Sequence, residues 1–383
     1  MGGALDGILV ADFSRVLAGP YATMLLGDLG ATVVKVERPS GGDDTRGWGP
    51  PWGPDGQSTY FTGVNRNKKS LALDLTTSQD NARARALARQ ADIVISNFAP
   101  GTMEHFGLGY AEVCASNPDV IYCSISGFGN GPGAQMPGYD LMVQAMGGLM
   151  SITGTAEPTK AGVAVVDVIT GLHAGMAILA ALHHRDVTGV GQNIDVSLLS
   201  ALLSGLVNQS AAFAGGGVVA AHLGNAHPSI APYEVYNAHD RGFVLAVGND
   251  AQFASLSEAI GHPELASDER FATNSQRVVH REDLNALLVP IFAERSVEEW
   301  HSLLLERGIP NGPINDIAGA VTLAAKLGLD PLVAIPTSAD PQQHITNPVR
   351  YSQTEVSYPL PAPALGEHTA ALIEEFDLDG AGS

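Results

Sequence analysis

The first forty residues constrain the fold most strongly, because a helical pattern there separates two strand patterns. Residues 7–13 read GILVADF, residues 21–28 form a helical run, and residues 32–38 read TVVKVER. Pro20 suits a first helical turn and Gly30 suits a helix end. Parallel strands need a crossover of this kind, so the segment predicts a strand–helix–strand unit of a parallel sheet.

The alternation of strands and helices continues beyond this unit. Residues 69–75, 91–98 and 119–128 are strand-like, and residues 78–90 are helical. We therefore predict an α/β fold with a doubly wound, mostly parallel sheet. The loop Ser14–Gly19 would then precede a helix N-terminus at the carboxyl edge of the sheet, where phosphate groups commonly bind. The loop has no GxGxxG motif, which argues against an ordinary dinucleotide fold.

The pattern changes near residue 226 and indicates a second domain. The segment PYEVYNAHDRGFVLAVG predicts a β-hairpin, and helical stretches follow it. A chain of 383 residues is long enough for about two domains. We predict a large α/β domain at residues 1–200 that is completed by 340–383, a linker at 201–225, a small α+β domain at 226–320 and a linker at 321–339.

The charge balance restricts the possible partners. With 40 acidic and 20 basic residues the formal net charge is −20, which repels nucleic acid and anionic lipid at long range. We therefore expect no nucleic-acid partner. Seven basic residues fall within the first seventy positions, where we expect any anionic ligand to bind: Arg15, Lys35, Arg38, Arg46, Arg66, Lys68 and Lys69.

Cysteine spacing and hydropathy suggest the compartment. Cys114 and Cys123 lie nine residues apart, which fits neither a zinc site nor a disulfide framework. We find no uninterrupted apolar run of about eighteen residues and no leader pattern at the start. We expect a cytoplasmic protein with no metal and no membrane association.

One acidic residue is unusual for its apolar surroundings. Residues 161–182 read AGVAVVDVITGLHAGMAILAAL, in which Asp167 and His173 are the ionisable groups. The run Val163–Val166 looks like a strand that passes into a helix, so we expect Asp167 at a strand-to-helix corner. It could be a helix N-cap or a half-buried nucleophile or base. Asp140, which opens another helical pattern, is interpreted as a cap.

Several motifs together carry a family resemblance. They include DFSRVLAGPYATMLLGDLGATVVKVERP, NKKSLALDL, ISNFAPG, VVDVITGLHAGMAILAAL and LGEHT, and they span nearly the whole chain. This ordered set resembles the class III coenzyme A (CoA) transferases, the superfamily of formyl-CoA transferase and α-methylacyl-CoA racemase. Each short motif is weak alone, whereas the set is highly specific.

The resemblance implies a reaction and a binding site. Asp167 matches the carboxylate that forms a mixed anhydride and then an aspartyl-CoA thioester while CoA moves from an acyl-CoA to a small carboxylic acid. CoA is then a substrate, and no cofactor is expected. The resemblance also implies an interlocked homodimer, in which the connections at residues 199–225 and 317–338 wrap a second copy of the chain. The matching CoA-binding positions are Leu17, Ala18, Arg38, Leu73, Asn97, Phe98, His105 and Tyr139.

The chain departs from formyl-CoA transferase at three places. Leu17 replaces a glutamine, His105 replaces an arginine, and the HPSI sequence at residues 227–230 replaces four glycines. His227, Pro228 and Ser229 form the predicted substrate loop. These differences argue against formyl-CoA and oxalate and favour other short acids such as dicarboxylates.

Two alternative functions were weighed against CoA transfer. A racemase needs a second proton-transfer group, and racemases that resemble this chain have GHD where it has GYD at 138–140. Tyr139, with a reference pKa of about 10, is a poor base near neutrality. A non-catalytic acyl-CoA-binding protein is the other alternative, but such a protein would gain nothing from desolvating Asp167. Both arguments favour the transferase.

Overall fold

The computed structural model describes residues 2–337 and 340–380 and divides the chain into two compact units. The first unit comprises residues 1–149, 160–219 and 330–383, and the second comprises 150–159 and 220–329. The predicted small domain at 226–320 falls within the second unit. The predicted linker at 321–339 ends on residues 338–339, which lie outside the described part of the chain.

The strands are short. In chain order they are β1 (Leu9–Asp12), β2 (Thr32–Glu37), β3 (Lys68–Ala72), β4 (Ile93–Ser96), β5 (Ile121–Ser126), β6 (Gln192–Ser197), β7 (Tyr233–Asn237), β8 (Gly242–Ala246), β9 (Asn311–Pro313), β10 (Leu332–Ile335) and β11 (Gln342–Ile345).

The helices vary more in length. They are α1 (Ala18–Asp28), α2 (Thr59–Thr62), α3 (Ser78–Gln90), α4 (Thr102–His105), α5 (Tyr110–Ser116), α6 (Asp140–Met146), α7 (Leu149–Ile152), α8 (Val165–Thr188), α9 (Leu198–Gly205), α10 (Asn208–Gly216), α11 (Asp250–Ala259), α12 (Asn274–Val279), α13 (Arg281–Phe292), α14 (Val297–Glu306), α15 (Ile317–Lys326) and α16 (Thr369–Glu375). Short 3-10 helices cover Asp44–Gly47 and Pro263–Ser267.

The first unit is built on a six-stranded sheet of order β3-β2-β1-β4-β5-β6. Each neighbouring pair is parallel, with Val10 opposite both Val33 and Ile93. The predicted doubly wound α/β sheet is therefore confirmed. The strand order reverses between β1 and β4, and ligands of such sheets bind in the crevice at this point.

Side chains of the sheet alternate between two hydrophobic cores. In β1, Val10 belongs to one core, whereas Leu9 and Ala11 belong to the other. Helices α1, α8 and α9 complete the first core, and α3, α5 and α16 complete the second. This alternation follows from the period of two in a strand, and it fixes which helices lie near each sheet face.

The helix α8 corrects one prediction from the sequence. Val163–Val166 does not form a strand, because the helix begins at Val165 and Asp167 lies in its first turn. The helix packs closely on the start of α1 through Gly171. A Cβ at Gly171 would lie 2.6 Å from the carbonyl oxygen of Ala18, so only glycine permits this approach.

Helix α8 is also 24 residues long with a mean hydropathy of 1.9 over its most apolar window, and by length and composition alone it could cross a membrane. Ala174, Ile178 and Leu182 on one of its faces are buried in the first core. Core helices of water-soluble proteins share this composition, so the expected absence of membrane association stays a prediction.

The second unit contains the antiparallel sheet β7-β8-β9. The predicted hairpin is confirmed as β7 and β8, and Phe243, Phe292 and Trp300 pack at the centre of the unit. Residues 201–225, predicted as a linker, include most of α9 and all of α10, so this segment is more regular than expected.

The end of the chain returns to the first unit and covers the edge strand β3. The Ser70 N–H donates to His368 Nδ1 at 3.3 Å, and the Ala72 N–H donates to Thr369 Oγ1 at 2.9 Å. The buried Arg66 pairs with Asp28 at 2.6 Å and donates to the Ile345 carbonyl at 3.0 Å, which ties β11 to the first unit. The first two contacts tie residues 368–369 to β3, and the completion of the large domain by residues 340–383 stays a prediction.

Candidate active site

A cleft of about 400 Å³ lies in the first unit at the carboxyl ends of the strands. The loop after β1 and the loop after β4 line it, as expected for the point where the strand order reverses. Residues 126–129 and 133–139, after β5, line it as well, together with Asp167 from the first turn of α8.

The loop after β1 is held by polar side chains that are buried or partly buried. Asn97 bonds both sides of Arg15: its Oδ1 accepts the Arg15 N–H at 2.8 Å, and its Nδ2 donates to the Arg15 carbonyl at 2.6 Å. Asp43 accepts the next N–H, from Val16, at 3.2 Å. Val16 has φ of 69°, a left-handed conformation that is costly for a β-branched residue. The loop is thus fixed in one strained shape.

Lys35 supports this loop from the core. Its Nζ donates to the Ser14 carbonyl and pairs with Asp43, both at 2.9 Å, and the Lys35 and Asp43 side chains are fully buried. Burial alone would lower the pKa of Lys35, but the Asp43, Asp12 and Glu37 carboxylates raise it above the usual lysine value. The ion pair therefore stays charged over the physiological pH range.

Asp140 positions the first turn of α8. Its Oδ1 accepts the N–H groups of Val166 at 2.8 Å and Asp167 at 3.2 Å, and its Oδ2 accepts Gln144 Nε2 at 2.6 Å. Asp140 was predicted to be a cap, but the N–H groups it binds belong to α8 rather than to its own helix. This arrangement brings the Asp140 carboxylate next to Asp167.

The Asp167 carboxyl is half-buried, and its pKa is strongly raised. Burial is the main cause and the nearby Asp140 carboxylate the second; together they raise the pKa of Asp167 to about 7. In the described part of the chain no hydrogen-bond donor offsets these effects. An N-cap would be expected to accept a backbone N–H, so the geometry favours the reactive interpretation of Asp167 over the capping one.

Tyr60, which sequence reasoning missed, lies close to the two carboxylates. Burial together with Asp167, Asp140 and Asp43 raises the pKa of the Tyr60 phenol to about 12, so it stays protonated as a hydrogen-bond donor. Its ring packs edge-on against Trp48, with 5.3 Å between centroids. Tyr60 follows the glycine- and proline-rich loop at 39–58, and no local motif indicates its position.

Six of the predicted site residues line the cleft together: Asp167, Leu17, Ala18, Asn97, Phe98 and Tyr139. Leu17 and Ala18 are largely buried, whereas Tyr139 is 63% exposed at the start of α6. The amide of Asn97 bonds to the backbone of Arg15 on both sides, so Asn97 has a structural role at the end of β4.

Three other predicted residues do not line the cleft. Arg38 is exposed and pairs with Asp44, which does line it. Leu73 is buried in the second core, and its N–H donates to the Glu37 carbonyl at 2.8 Å. His105 is exposed at the end of α4, beside Phe106. Contacts of these residues with CoA stay predictions.

The predicted substrate loop belongs to the second unit. Arg281 donates to the His227 carbonyl at 2.6 Å, and Asn274 donates to the Ser229 carbonyl at 2.9 Å. Pro228 lies between these two anchored residues. The loop is thus held by its backbone carbonyls, whichever ligand it contacts.

Among the described residues, no group of three or more His, Cys, Asp or Glu side chains could hold a metal ion.

Arg15 lines the cleft but was not predicted as a site residue, although its position among the basic residues of the first loop was a usable signal.

Comparison with known proteins gives a consistent result. Residues 5–369 match CoA-transferase family III. The succinate–glutarate CoA-transferase of Agrobacterium fabrum is 42% identical over 97% of this chain and 96% of its own length. The acetyl-CoA:oxalate CoA-transferase of Acetobacter aceti is 39% identical over 98% of this chain and 96% of its own length.

A solved structure agrees with these sequence matches. The crystal structure of a CaiB/BaiF family protein from Brucella suis has a TM-score of 0.88 and 41% sequence identity, and the match covers 98% of this chain and 100% of that one. Two independent comparisons thus support the predicted resemblance over nearly the full length. The chain belongs to CoA-transferase family III and is a CoA-transferase.

Proposed function

We propose that the enzyme transfers CoA from an acyl-CoA to a small dicarboxylic acid through an aspartyl-CoA thioester on Asp167. The observation that carries the proposal is the half-buried Asp167 carboxyl on the cleft, with a pKa raised to about 7 by burial and by Asp140. Weak solvation makes its ionised form a stronger nucleophile than an exposed carboxylate.

The proposed cycle has four balanced steps. The Asp167 carboxylate attacks the thioester carbon and releases CoA thiolate, which leaves a mixed anhydride. The thiolate then attacks the Asp167 carbonyl, which releases the donor acid and forms the aspartyl-CoA thioester. The acceptor carboxylate displaces the thiolate to form a second anhydride. The thiolate finally attacks the acceptor's acyl carbon and regenerates the Asp167 carboxylate.

The donor and acceptor acids are proposed from the relatives. The Agrobacterium relative is named for succinate and glutarate, which agrees with the dicarboxylates expected from the departures at Leu17, His105 and residues 227–230. The Acetobacter relative is named for oxalate, which those departures argued against, so oxalate belongs in the test. The cycle needs no metal or resident cofactor, and we expect chelator-treated enzyme to keep its activity.

The covalent intermediate can be detected directly. Incubation with succinyl-CoA and then hydroxylamine should convert Asp167 to its hydroxamate, because hydroxylamine attacks both the anhydride and the thioester. Peptide mass analysis should find the modification on Asp167, with Asp140 as an internal control that stays unmodified. An unmodified Asp167 in enzyme that is turning over would overturn the proposed mechanism.

Measurement of proton exchange distinguishes the racemase alternative from CoA transfer. A 2-methylacyl-CoA in deuterated water should show no α-proton exchange, because racemisation needs a second proton-transfer group and Tyr139 stands where racemases that resemble this chain have a histidine. Transfer should also depend strictly on an acceptor acid. Rapid exchange without an acceptor would favour the racemase instead.

A further inference from the structure

Arg15 is the only basic side chain among the cleft-lining residues that the structure describes. The same cleft carries the carboxyls of Asp44 and Asp167. CoA carries phosphates and dicarboxylic acids carry a second carboxylate, so a ligand in this cleft brings further negative charge. Because the chain has a net charge of −20, an anionic ligand needs a positively charged side chain close to its binding site.

The backbone around Arg15 is fixed before any ligand binds. Three successive residues are held by side chains that are buried or partly buried: Ser14 by Lys35, Arg15 by Asn97 on both sides of its Cα, and Val16 by Asp43. The side chain of Arg15 therefore extends from a rigid backbone position on the cleft wall. This rigidity lowers the conformational entropy that is lost when a ligand binds.

The guanidinium of Arg15 can donate further hydrogen bonds. It lies over the Phe98 ring, with Cζ 4.8 Å from the centroid, and its Nη1 pairs with Asp44 at 3.2 Å. Its Nε is buried and has no hydrogen-bond partner in the described part of the chain. The Asp44 pair is more than one third exposed on each side, and such pairs contribute little to stability. Exchange of this pair for a ligand anion is therefore easy.

We propose that Arg15 is the anion-recognising residue of the cleft, and that its guanidinium leaves Asp44 to bind a phosphate of CoA or the distal carboxylate of a dicarboxylic acyl group. Both groups offer paired oxygens that match the planar guanidinium. The inference rests on the proposed function only in taking this cleft as the acyl-CoA site.

Binding of free CoA and steady-state kinetics with two thioesters test the role of Arg15. Calorimetry gives the Kd of CoA without turnover, and succinyl-CoA is compared with butyryl-CoA, which lacks the distal carboxylate. If Arg15 binds phosphate, Arg15→Gln raises the Kd of CoA and the KM of both thioesters about tenfold. If it binds the carboxylate, only the KM of succinyl-CoA rises. Unchanged values in all three measurements overturn the proposal.

Controls separate recognition from folding. Arg83→Gln removes an arginine that pairs with Asp80 and Asp379 outside the cleft, and it should leave all three values unchanged. Arg15→Lys keeps the charge without the planar fork and should recover part of the lost affinity. A wild-type enzyme that binds CoA but transfers none would contradict the proposed function and leave the calorimetric test of Arg15 intact.

Asp44→Asn tests the proposal through an expected gain, rather than a loss, of anion affinity. Removal of this competing carboxylate should tighten anion binding severalfold, and the gain should vanish in the Arg15→Gln/Asp44→Asn double variant. A gain that persists in the double variant would assign the effect to Arg38, the other partner of Asp44, and would contradict the role of Arg15. The Asp44→Asn single variant does not depend on the folding of Arg15→Gln, and unchanged anion binding in it would contradict the proposal.

Discussion

The carboxyl of Asp167 combines two properties that oppose each other. Burial and Asp140 raise its pKa to about 7, which makes the ionised form reactive but reduces its population near neutrality. We expect kcat/KM to fall below about pH 7, because the protonated carboxyl cannot attack the thioester.

Asp140→Asn tests the cause of this shift. The amide oxygen can still accept the N–H groups of Val166 and Asp167, but the negative charge is gone. The acid limb of the kcat/KM profile should therefore move to lower pH. A limb that stays in place would show that Asp140 does not set the pKa of Asp167.

The same shift predicts a stability cost. The folded-state pKa of about 7 lies above the ordinary aspartate pKa of 3.8, so the protonated carboxyl stabilises the fold below about pH 4 and this contribution is lost as pH rises through 7. Asp167→Asn removes the titration. We expect the variant to exceed the wild type in unfolding free energy by about 2–4 kcal/mol at pH 8, at roughly 1.4 kcal/mol per pKa unit.

Urea unfolding at pH 4 and pH 8 measures this difference. The advantage of Asp167→Asn should be small at the lower pH, where the wild-type carboxyl is protonated in the folded state. An equal advantage at both values would assign it to packing rather than to charge.

At the residue scale, sequence identified Asp167 but not its surroundings. An isolated acid in an apolar run is a local signal, and the family motifs gave it a role. Its partner Asp140 lies 27 residues away in sequence, and Tyr60 is more distant still. Contacts of this kind depend on how α6 and α8 pack, which no local pattern specifies.

The packing of α8 on α1 sets where Asp167 lies relative to the loop after β1. Gly171 is one helical turn after Asp167 and permits contact with the Ala18 carbonyl. Gly171→Ala would place a Cβ 2.6 Å from that oxygen, so α8 must move away. We expect a loss of kcat of about tenfold to a hundredfold, as a displacement near 1 Å at a reacting group can cause.

Gly175→Ala is the matched control for this change. It lies one turn further along the same helix, and a Cβ there meets nothing within 4 Å. Alanine is favoured over glycine in a helix by about 1 kcal/mol, so this variant should be slightly more stable and remain active. Equal losses in both variants, measured by transfer kinetics and thermal unfolding, would rule out the close contact as the cause.

Elements were predictable where the pattern repeats, as in the strands that form β1 to β5. Val163–Val166 was wrong as a strand because β-branched apolar residues occur both in strands and in buried helices. What decides this case is Asp140, which accepts two N–H groups of the first turn from outside the helix. When the capping residue belongs to another element, the sequence next to the helix contains no capping motif.

The assembly of the whole molecule stays a prediction, and we propose an obligate interlocked homodimer. The connecting segments predicted to wrap a second chain, residues 199–225 and 317–338, expose large apolar side chains. Phe213 is 63% exposed, Ile317 82% and Leu327 65%. Their burial against a partner would add to an interface larger than the usual 1,600 Å² or so and would make an isolated chain unstable.

Analytical ultracentrifugation at nanomolar concentration checks this proposal. We expect twice the chain mass of 39.7 kDa at every dilution, with activity per chain unchanged. Phe213→Asp should reduce the soluble yield, whereas Tyr351→Asp, at a partly exposed residue outside both segments, should not. An active species of single-chain mass would refute the dimer.

The contacts of His368 and Thr369 with strand β3 affect how the chain folds during its synthesis. Ser70 bonds to His368, which lies 298 positions later, so this sheet edge stays uncovered until residue 368 has left the ribosome. At about 5–20 residues per second this interval is roughly 15–60 s. During it the edge offers unpaired N–H groups to any neighbouring strand. Slower translation or loss of residues 368–383 would therefore promote aggregation, although neither change touches the Asp167 carboxyl.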